Sequence, residues 1–528
     1  MSYKSRLRSV AKGLLPLALP LAVSISMIFW DLQSLGLSHW DEFSYVATAK
    51  WFIGAPNGVL TFYEPPGFPF AVAVFFRIFG VKDYVAIAVS GAFAIATLLL
   101  VTYVGLKLLG FEAALTAPIL LVLSPLFLTY SRMALTDMAF TFFFSLAIFL
   151  MYRAMKSGRL RDATFAGLTL GACTMTKYNG FMPLIVFVCY LLITLRGIQA
   201  RERLDNVRSW LRVLLITCVP SLILAFLYIA MLGISTELPT NQALSSQALK
   251  LIAFDGPSML AKGFARFNVL AVQNHATQLE FFPLTSATFY VQVLQSFVPW
   301  PILLLAVIGV LRKNVREGPE LFVAVWLLAT IFLIASIPAQ YTRAILPALP
   351  PMALSASLGV TRLSSFVQSV RFVRLRLPKL KFKVIAPFLV VLVIALSLQG
   401  AFQAIAVEHR AYREAGQLLV ADVGHSPVLA LTQPVVAFYY PVSFGDLNDT
   451  SLARNRYIII DFIAAENGYV PVIQQLKQEG KLRLVATLHN DVPEEVYLDS
   501  ISFQQLRDWN YTYIQIYEVV NGTATQSS

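Results

Sequence analysis

Long apolar runs, separated by short polar or basic segments, set the first expectation for this chain. A helix needs about 17–25 apolar residues to cross a hydrocarbon core of about 30 Å. Such runs recur near 14–30, 83–106, 112–129, 136–153, 162–176, 180–196, 211–232, 291–311, 320–337, 344–361 and 384–404. The pattern predicts eleven transmembrane helices within residues 1–404, with two long polar segments at 31–82 and 233–290. Beyond residue 405 the rhythm changes. Strand-like runs "PVLALT", "RYIIIDF", "LRLVATLH" and "YTYIQIYEVV" alternate with helix-like "EHRAYREAGQLLVADV" and "AENGYVPVIQQLKQEG", which predicts a small α/β domain over 405–528.

Composition agrees with the membrane reading. The 528 residues are 57% hydrophobic and only 13% charged, about half the charge of an ordinary soluble domain. The fold class expected is a polytopic α-helical membrane protein with a C-terminal α/β domain. "YKSRLRSVAKGLLPLALPLAVSISMIFW" also has the make-up of a signal peptide, but its apolar run extends to Trp30 and many spans follow, so it is read as the first membrane helix.

The net charge of +12 raises the question of nucleic acid, and the placement of the positive charges answers it. With the N-terminus inside, the inner segments collect 24 of the 41 Lys and Arg, the positive-inside pattern. No nucleic-acid partner is implied. The same topology predicts a multi-pass cell-membrane protein with a cytoplasmic N-terminus and an extracytoplasmic C-terminal domain. The basic loop 362–383 would also suit anionic headgroups.

On the outer side, ionisable groups gather at span ends. "SHWDEFSYVATAKWF" carries Asp41 and Glu42, with Ser38 and Asp41 at capping-box spacing ahead of an interfacial helix. Structural capping alone would account for this pair. A carboxylate held ionised at a helix start would equally suit an acceptor hydroxyl. "TYSRMALTDMAF" supplies Arg132 and Asp137, "TMTKYNGF" supplies Lys177, and Arg343 follows later. Such cations either snorkel or bind a phosphate at headgroup depth. Glu64, His275 and Tyr290 complete the outer polar set. Zinc-type clusters of His and Cys, Gly-rich phosphate loops and Ser-His-Asp patterns are missing from the sequence, so no tightly bound cofactor is expected.

In order and placement, "HWDEFSYVATA", "YEPPGFPFAVAVFFRIFG", "SRMALTDMAF", "TKYNGF", "NHATQLEFF…FYVQVLQSFVPWP" and "QYTRAILPALPPMALSAS" resemble the polyprenyl-phosphate-sugar-dependent glycosyltransferases of the C superfamily. This group includes protein O-mannosyltransferases and the lipid A aminoarabinose transferase. The resemblance implies a membrane enzyme that moves a sugar from a polyprenyl-phosphate donor to a lipid, glycan or protein acceptor, with inversion at the anomeric carbon. It implies catalytic roles for Asp41, with Glu42 beside it, and for Asp137, donor-phosphate binding by Arg132, Lys177 and Arg343, and substrate contacts from Glu64, His275 and Tyr290. A divalent cation, if used, would fall to Glu64 and His275. The aminoarabinose branch reads Glu-Lys-Pro-Pro where this chain reads Tyr63-Glu64-Pro65-Pro66, so that branch's lysine is missing. The rival class is a transporter or lipid flippase. Its charges belong near the bilayer midplane, whereas these sit at span ends.

Overall fold

The computed structural model describes residues 3–60, 65–196, 200–234, 284–311, 318–336, 340–374, 382–407, 409–423, 426–489 and 513–520, with a few isolated residues between. Of the positions singled out above, Glu64 and His275 lie outside the described residues, as does most of the 233–290 segment.

Apolar helices dominate the first 406 residues. In chain order they are α1 (Tyr3–Phe29), α2 (Trp40–Phe52), α3 (Gly67–Phe79), α4 (Asp83–Val104), α5 (Phe111–Val122), α6 (Pro125–Ser131), α7 (Asp137–Ser157), α8 (Leu160–Thr174), α9 (Met182–Leu195) and α10 (Ala200–Ile234). They continue with α11 (Leu284–Phe297), α12 (Trp300–Val310), α13 (Pro319–Ala335), a 3-10 segment (Thr342–Ala348), α14 (Leu349–Arg374) and α15 (Phe382–Ala406). Among the described residues, five helices are long and apolar enough to cross a membrane, and seven if each of two bent pairs counts as one span. Burial ranks them. The Thr342–Val367 stretch is 83% buried and central, whereas only 28% of the α10 span is covered, leaving Leu215, Val219 and Ile223 outward.

Three expectations about these elements need correction. The 291–311 run is two helices bent by 120° at a break next to Pro299, and 112–129 is two bent by 71° ahead of Pro125. Proline removes an N–H and clashes with the preceding turn, so each apolar run continues in a new direction. The 31–82 segment holds the helix expected after Asp41, as α2, and the apolar α3 in addition. The 162–176 stretch does form α8, but it falls short of a span in length and apolarity.

The C-terminal part holds α16 (Ala411–Leu418), β1 (Val428–Leu431), α17 (Val436–Tyr439), β2 (Ser443–Phe444), β3 (Tyr457–Ile460), α18 (Val470–Gln478), β4 (Leu482–His489) and β5 (Tyr513–Val519). The strands form one sheet in the order β2-β1-β3-β5-β4. β1 runs parallel to β2 and β3, with Leu429 opposite Ser443 and Ile458, while β5 runs antiparallel to β3 and β4. Strands β1 and β3 are almost wholly buried, as their unbroken apolar runs require. All four strand-like runs read from the sequence are strands. β2, only two residues long, gave no period to read.

This domain docks on the end of the bundle where α2 and α4 begin. Arg413 Nε donates to Asp83 Oδ2 at 2.8 Å and its Nη1 to the Gln33 carbonyl at 2.7 Å, and Nη2 also donates to the Leu35 carbonyl. Tyr439 Oη donates to Asp83 Oδ2 at 2.8 Å while accepting the Leu37 N–H at 2.8 Å. Lys50 lies 4.6 Å over the Phe438 ring.

Candidate active site

The start of α2 is built by a capping box displaced by one residue from the expected one. His39, not Ser38, is the N-cap: its Nδ1 accepts the Asp41 N–H at 3.1 Å, and Glu42, not Asp41, reaches back to the cap N–H at 2.9 Å. The longer Glu side chain makes the return contact, so the Asp41 carboxylate is left to point elsewhere.

Glu42 is fully buried. Its Oε2 accepts from the Ser38 N–H (2.7 Å), the Ser38 hydroxyl (3.3 Å) and the His39 N–H, while Oε1 accepts from the Ala134 N–H at 2.6 Å. Burial pushes the carboxyl up to about 7, against the pull of these donors. Glu42 therefore clamps the start of α2 to the turn between α6 and α7. All four of its contacts are to the scaffold of α2 and this turn.

The clamped turn spreads its contacts widely. Leu135 accepts the Ser90 hydroxyl at 2.9 Å through its carbonyl, and the Thr136 hydroxyl donates to the Thr176 carbonyl at 3.0 Å. Arg132, only 2% exposed, sends Nη1 to the carbonyls of Met27 (3.4 Å), Ile28 (3.2 Å) and Trp30 (2.7 Å), and Nη2 to that of Ile405 (3.3 Å). These are the carbonyls left over at the C-terminal ends of α1 and α15, where a cation is favoured. Arg132 thus joins two helix ends.

Four other expected residues do come together. Arg343 Nη2 lies 2.6 Å from Asp41 Oδ2, and its Nη1 is 3.8 Å from Asp137 Oδ2. Lys177 Nζ donates to Asp137 Oδ1 at 2.6 Å. The result is a chain Asp41–Arg343–Asp137–Lys177, alternating in charge, drawn from the first turns of α2 and α7, the turn after α8 and the 3-10 segment before α14. Side-chain exposure is 2% for Asp137, 11% for Arg343, 14% for Asp41 and 18% for Lys177, so Asp137 is the closed-off member and the other three are reachable. Burial alone pushes the Asp41 carboxyl up, but Arg343, then His39 and, more weakly, Lys177 bring it below the usual carboxylate range. Asp41 is therefore an anion across the physiological range. Tyr341, which the sequence reading passed over, holds its ring 5.6 Å from the Arg343 guanidinium carbon.

The Lys177 turn is fixed by a close backbone approach. The Gly67 N–H donates to the Met175 carbonyl at 2.6 Å, and a Cβ at residue 67 would stand 2.4 Å from that oxygen. Tyr290 is 2% exposed and packs edge-on against Phe289. It stands on α11 and is not a link in the charge chain. Among the described residues no group of three or more His, Cys, Asp or Glu is arranged to hold a metal ion.

This architecture, a helical bundle with a charged site at one end and an α/β domain docked on it, is shared with solved structures of membrane enzymes. ArnT from Cupriavidus metallidurans bound to undecaprenyl phosphate superimposes with a TM-score of 0.58 over 96% of this chain and 98% of that one, at 14% identity. The Archaeoglobus fulgidus oligosaccharyltransferase tethered with an acceptor peptide gives a TM-score of 0.51 over 86% of this chain and 69% of that one, at 12% identity. At such identities the likeness is one of fold. In sequence, residues 63–226 match the family model of dolichyl-phosphate-mannose-protein mannosyltransferases. The resemblance read from the motifs is thus met in sequence over residues 63–226, and beyond them in fold alone. No curated protein matches the chain.

Proposed function

We propose that the chain is a membrane glycosyltransferase that moves a sugar from a polyprenyl-phosphate donor to an extracytoplasmic acceptor. The observation that carries this reading is the Asp41–Arg343–Asp137–Lys177 chain, which sets an ionised carboxylate directly beside a cation at one end of the bundle. Undecaprenyl phosphate bound to ArnT, which shares the fold, supports the donor class.

In this mechanism the donor phosphate approaches Arg343 and Lys177. A guanidinium offers five N–H donors and an ammonium three, so both can address a phosphate while keeping their carboxylates. Asp41 orients the acceptor hydroxyl, whose oxygen attacks the anomeric carbon as the bond from that carbon to the phosphate oxygen breaks. The hydroxyl proton passes to the Asp41 carboxylate, and the lipid leaves as a phosphate monoester. One displacement inverts the anomeric centre. Negative charge grows on the leaving phosphate, so fixed cations there favour the transition state over the ground state. Asp137 keeps both cations aimed. The sugar and the acceptor class, whether lipid, glycan or protein, are left to experiment.

Transfer from a labelled polyprenyl-phosphate sugar panel to membrane acceptors tests the proposal. Asp41→Asn preserves the cap geometry and is expected to lose at least ~100-fold in transfer while inserting normally. Undiminished transfer by this variant would end the catalytic role of Asp41. Because Arg343 and Lys177 supply the positive charge, transfer is expected to persist in EDTA. If chelation abolishes it, a divalent ion and the Glu64 and His275 segments move to the centre of the mechanism.

A further inference from the structure

At the far end of α7 from Asp137, about 30 Å along a 21-residue helix, the chain turns through Gly158 at φ 62° into α8. A cavity of about 240 Å³ opens there between this turn and α10, lined by Arg159, Arg208 and Arg212 with Leu160, Ala163 and Val213. Three guanidinium side chains from two separate segments line one small space. None of the three is in an ion pair among the described residues. The buried acid of the turn, Asp162, is taken by Arg153 (3.5 Å), Arg161 (3.8 Å) and the Ser157 hydroxyl (2.8 Å). No side chain caps the start of α8, and Asp162 lies in its first turn.

The surroundings say what kind of anion fits. Leu160 is 49% exposed, and next to the α10 arginines Leu211 and Leu215 are 52% and 68% exposed on a helix that turns its apolar side outward. A cationic cavity with an apolar floor, bordered by hydrocarbon-facing leucines, combines the two halves of an amphiphile site. We propose that it binds the phosphate of an anionic phospholipid headgroup, in the leaflet opposite the ion-pair chain, with the acyl chains lying along Leu211 and Leu215. Guanidinium forks suit phosphate, and basic groups at headgroup depth draw anionic lipid. This inference is independent of the catalytic reading.

The test is native mass spectrometry of the full-length protein titrated with phosphatidylglycerol and, separately, phosphatidylcholine. The comparison is between the Arg159→Gln/Arg208→Gln/Arg212→Gln variant and a Lys107→Gln/Lys156→Gln/Arg196→Gln control, which removes equal charge from the same end of the bundle. All three cavity arginines are exposed, so thermal unfolding of the variant is expected to match wild type. Wild type should retain phosphatidylglycerol over phosphatidylcholine, the cavity variant should bind it ~10-fold or more weakly, and the control should stay within ~2-fold. Equal loss in both variants, or no headgroup preference in wild type, would overturn the site in favour of a diffuse positive field. Displacement of the lipid by millimolar inorganic phosphate would overturn the lipid assignment and leave a site for soluble phosphate.

Discussion

Asp41 and Glu42 are neighbours with opposite fates, and the difference is one of reach. Glu42 is long enough to close the capping box and is drawn into a nest of N–H donors, whereas Asp41 meets Arg343. Their titrations diverge accordingly. The Glu42 carboxyl, at about 7 in the fold and near its ordinary value of about 4.3 when unfolded, binds its proton more tightly in the native state. Its contribution to stability is whole below the unfolded value and is lost as pH rises through 7, by ~4 kcal/mol at most. Thermal unfolding in detergent between pH 4.5 and 8 should show this decline, and Glu42→Gln should flatten it. Asp41, held low, adds stability that is present above its unfolded value and lost only in strong acid. Four residues of the charge chain were legible as outer-face ions at span ends. Arg132 looked the same, because sequence does not distinguish a cation facing the headgroups from one facing spare helix carbonyls. Arg132→Met is expected to cost on the order of 3 kcal/mol, read as a fall in Tm. A phosphate ligand would instead show a raised donor KM at unchanged Tm.

Among the elements, apolar length was readable and direction was not. The 120° break between α11 and α12 lies inside one hydropathy window, and averaging over that window removes the signal of Pro299. The intimacy of helix contacts was equally hidden. On α12 and α14, a Cβ at Gly309 would stand 1.8 Å from the Ser355 carbonyl oxygen, and one at Gly359 2.0 Å from that of Leu305. The Ser355 hydroxyl also donates to the Ala306 carbonyl at 3.0 Å. The two helices approach backbone to backbone, as small residues in membranes permit. Gly309→Ala and Gly359→Ala should each force them apart. Reduced yield of folded protein in detergent, measured by size-exclusion chromatography, would show it, while Gly80→Ala, with open space around its Cβ but a positive φ, should cost only local strain.

For the whole molecule, the informative contact is the one between the bundle and the α/β domain. Arg413 and Tyr439 converge on Asp83, which is 7% exposed at the start of α4. A Cβ at Gly36 would stand 2.7 Å from the His409 carbonyl, so the 33–37 segment is pressed against the start of the C-terminal domain. The alternation of strands and helices announced the domain, but its docking depends on Asp83 and Arg413, 330 positions apart, and no local pattern links them. A double-mutant cycle of Asp83→Asn and Arg413→Gln should show coupling of ~1–3 kcal/mol. Either change should also hasten limited proteolysis near residue 407. Additive effects would mean that the pair does not hold the domain.

The charge chain has a consequence for how the protein is made. Its members stand at positions 41, 137, 177 and 343, so a chain emerging from the ribosome delivers two acids and one base long before the arginine that completes the set. Until residue 343 arrives, Asp137 has Lys177, whereas Asp41 has only His39 beside it, 3.9 Å away. The helices from α3 to α13 must therefore insert around an anion without its arginine, kept at the wet rim of the bilayer. The final closing of the bundle coincides with its neutralisation.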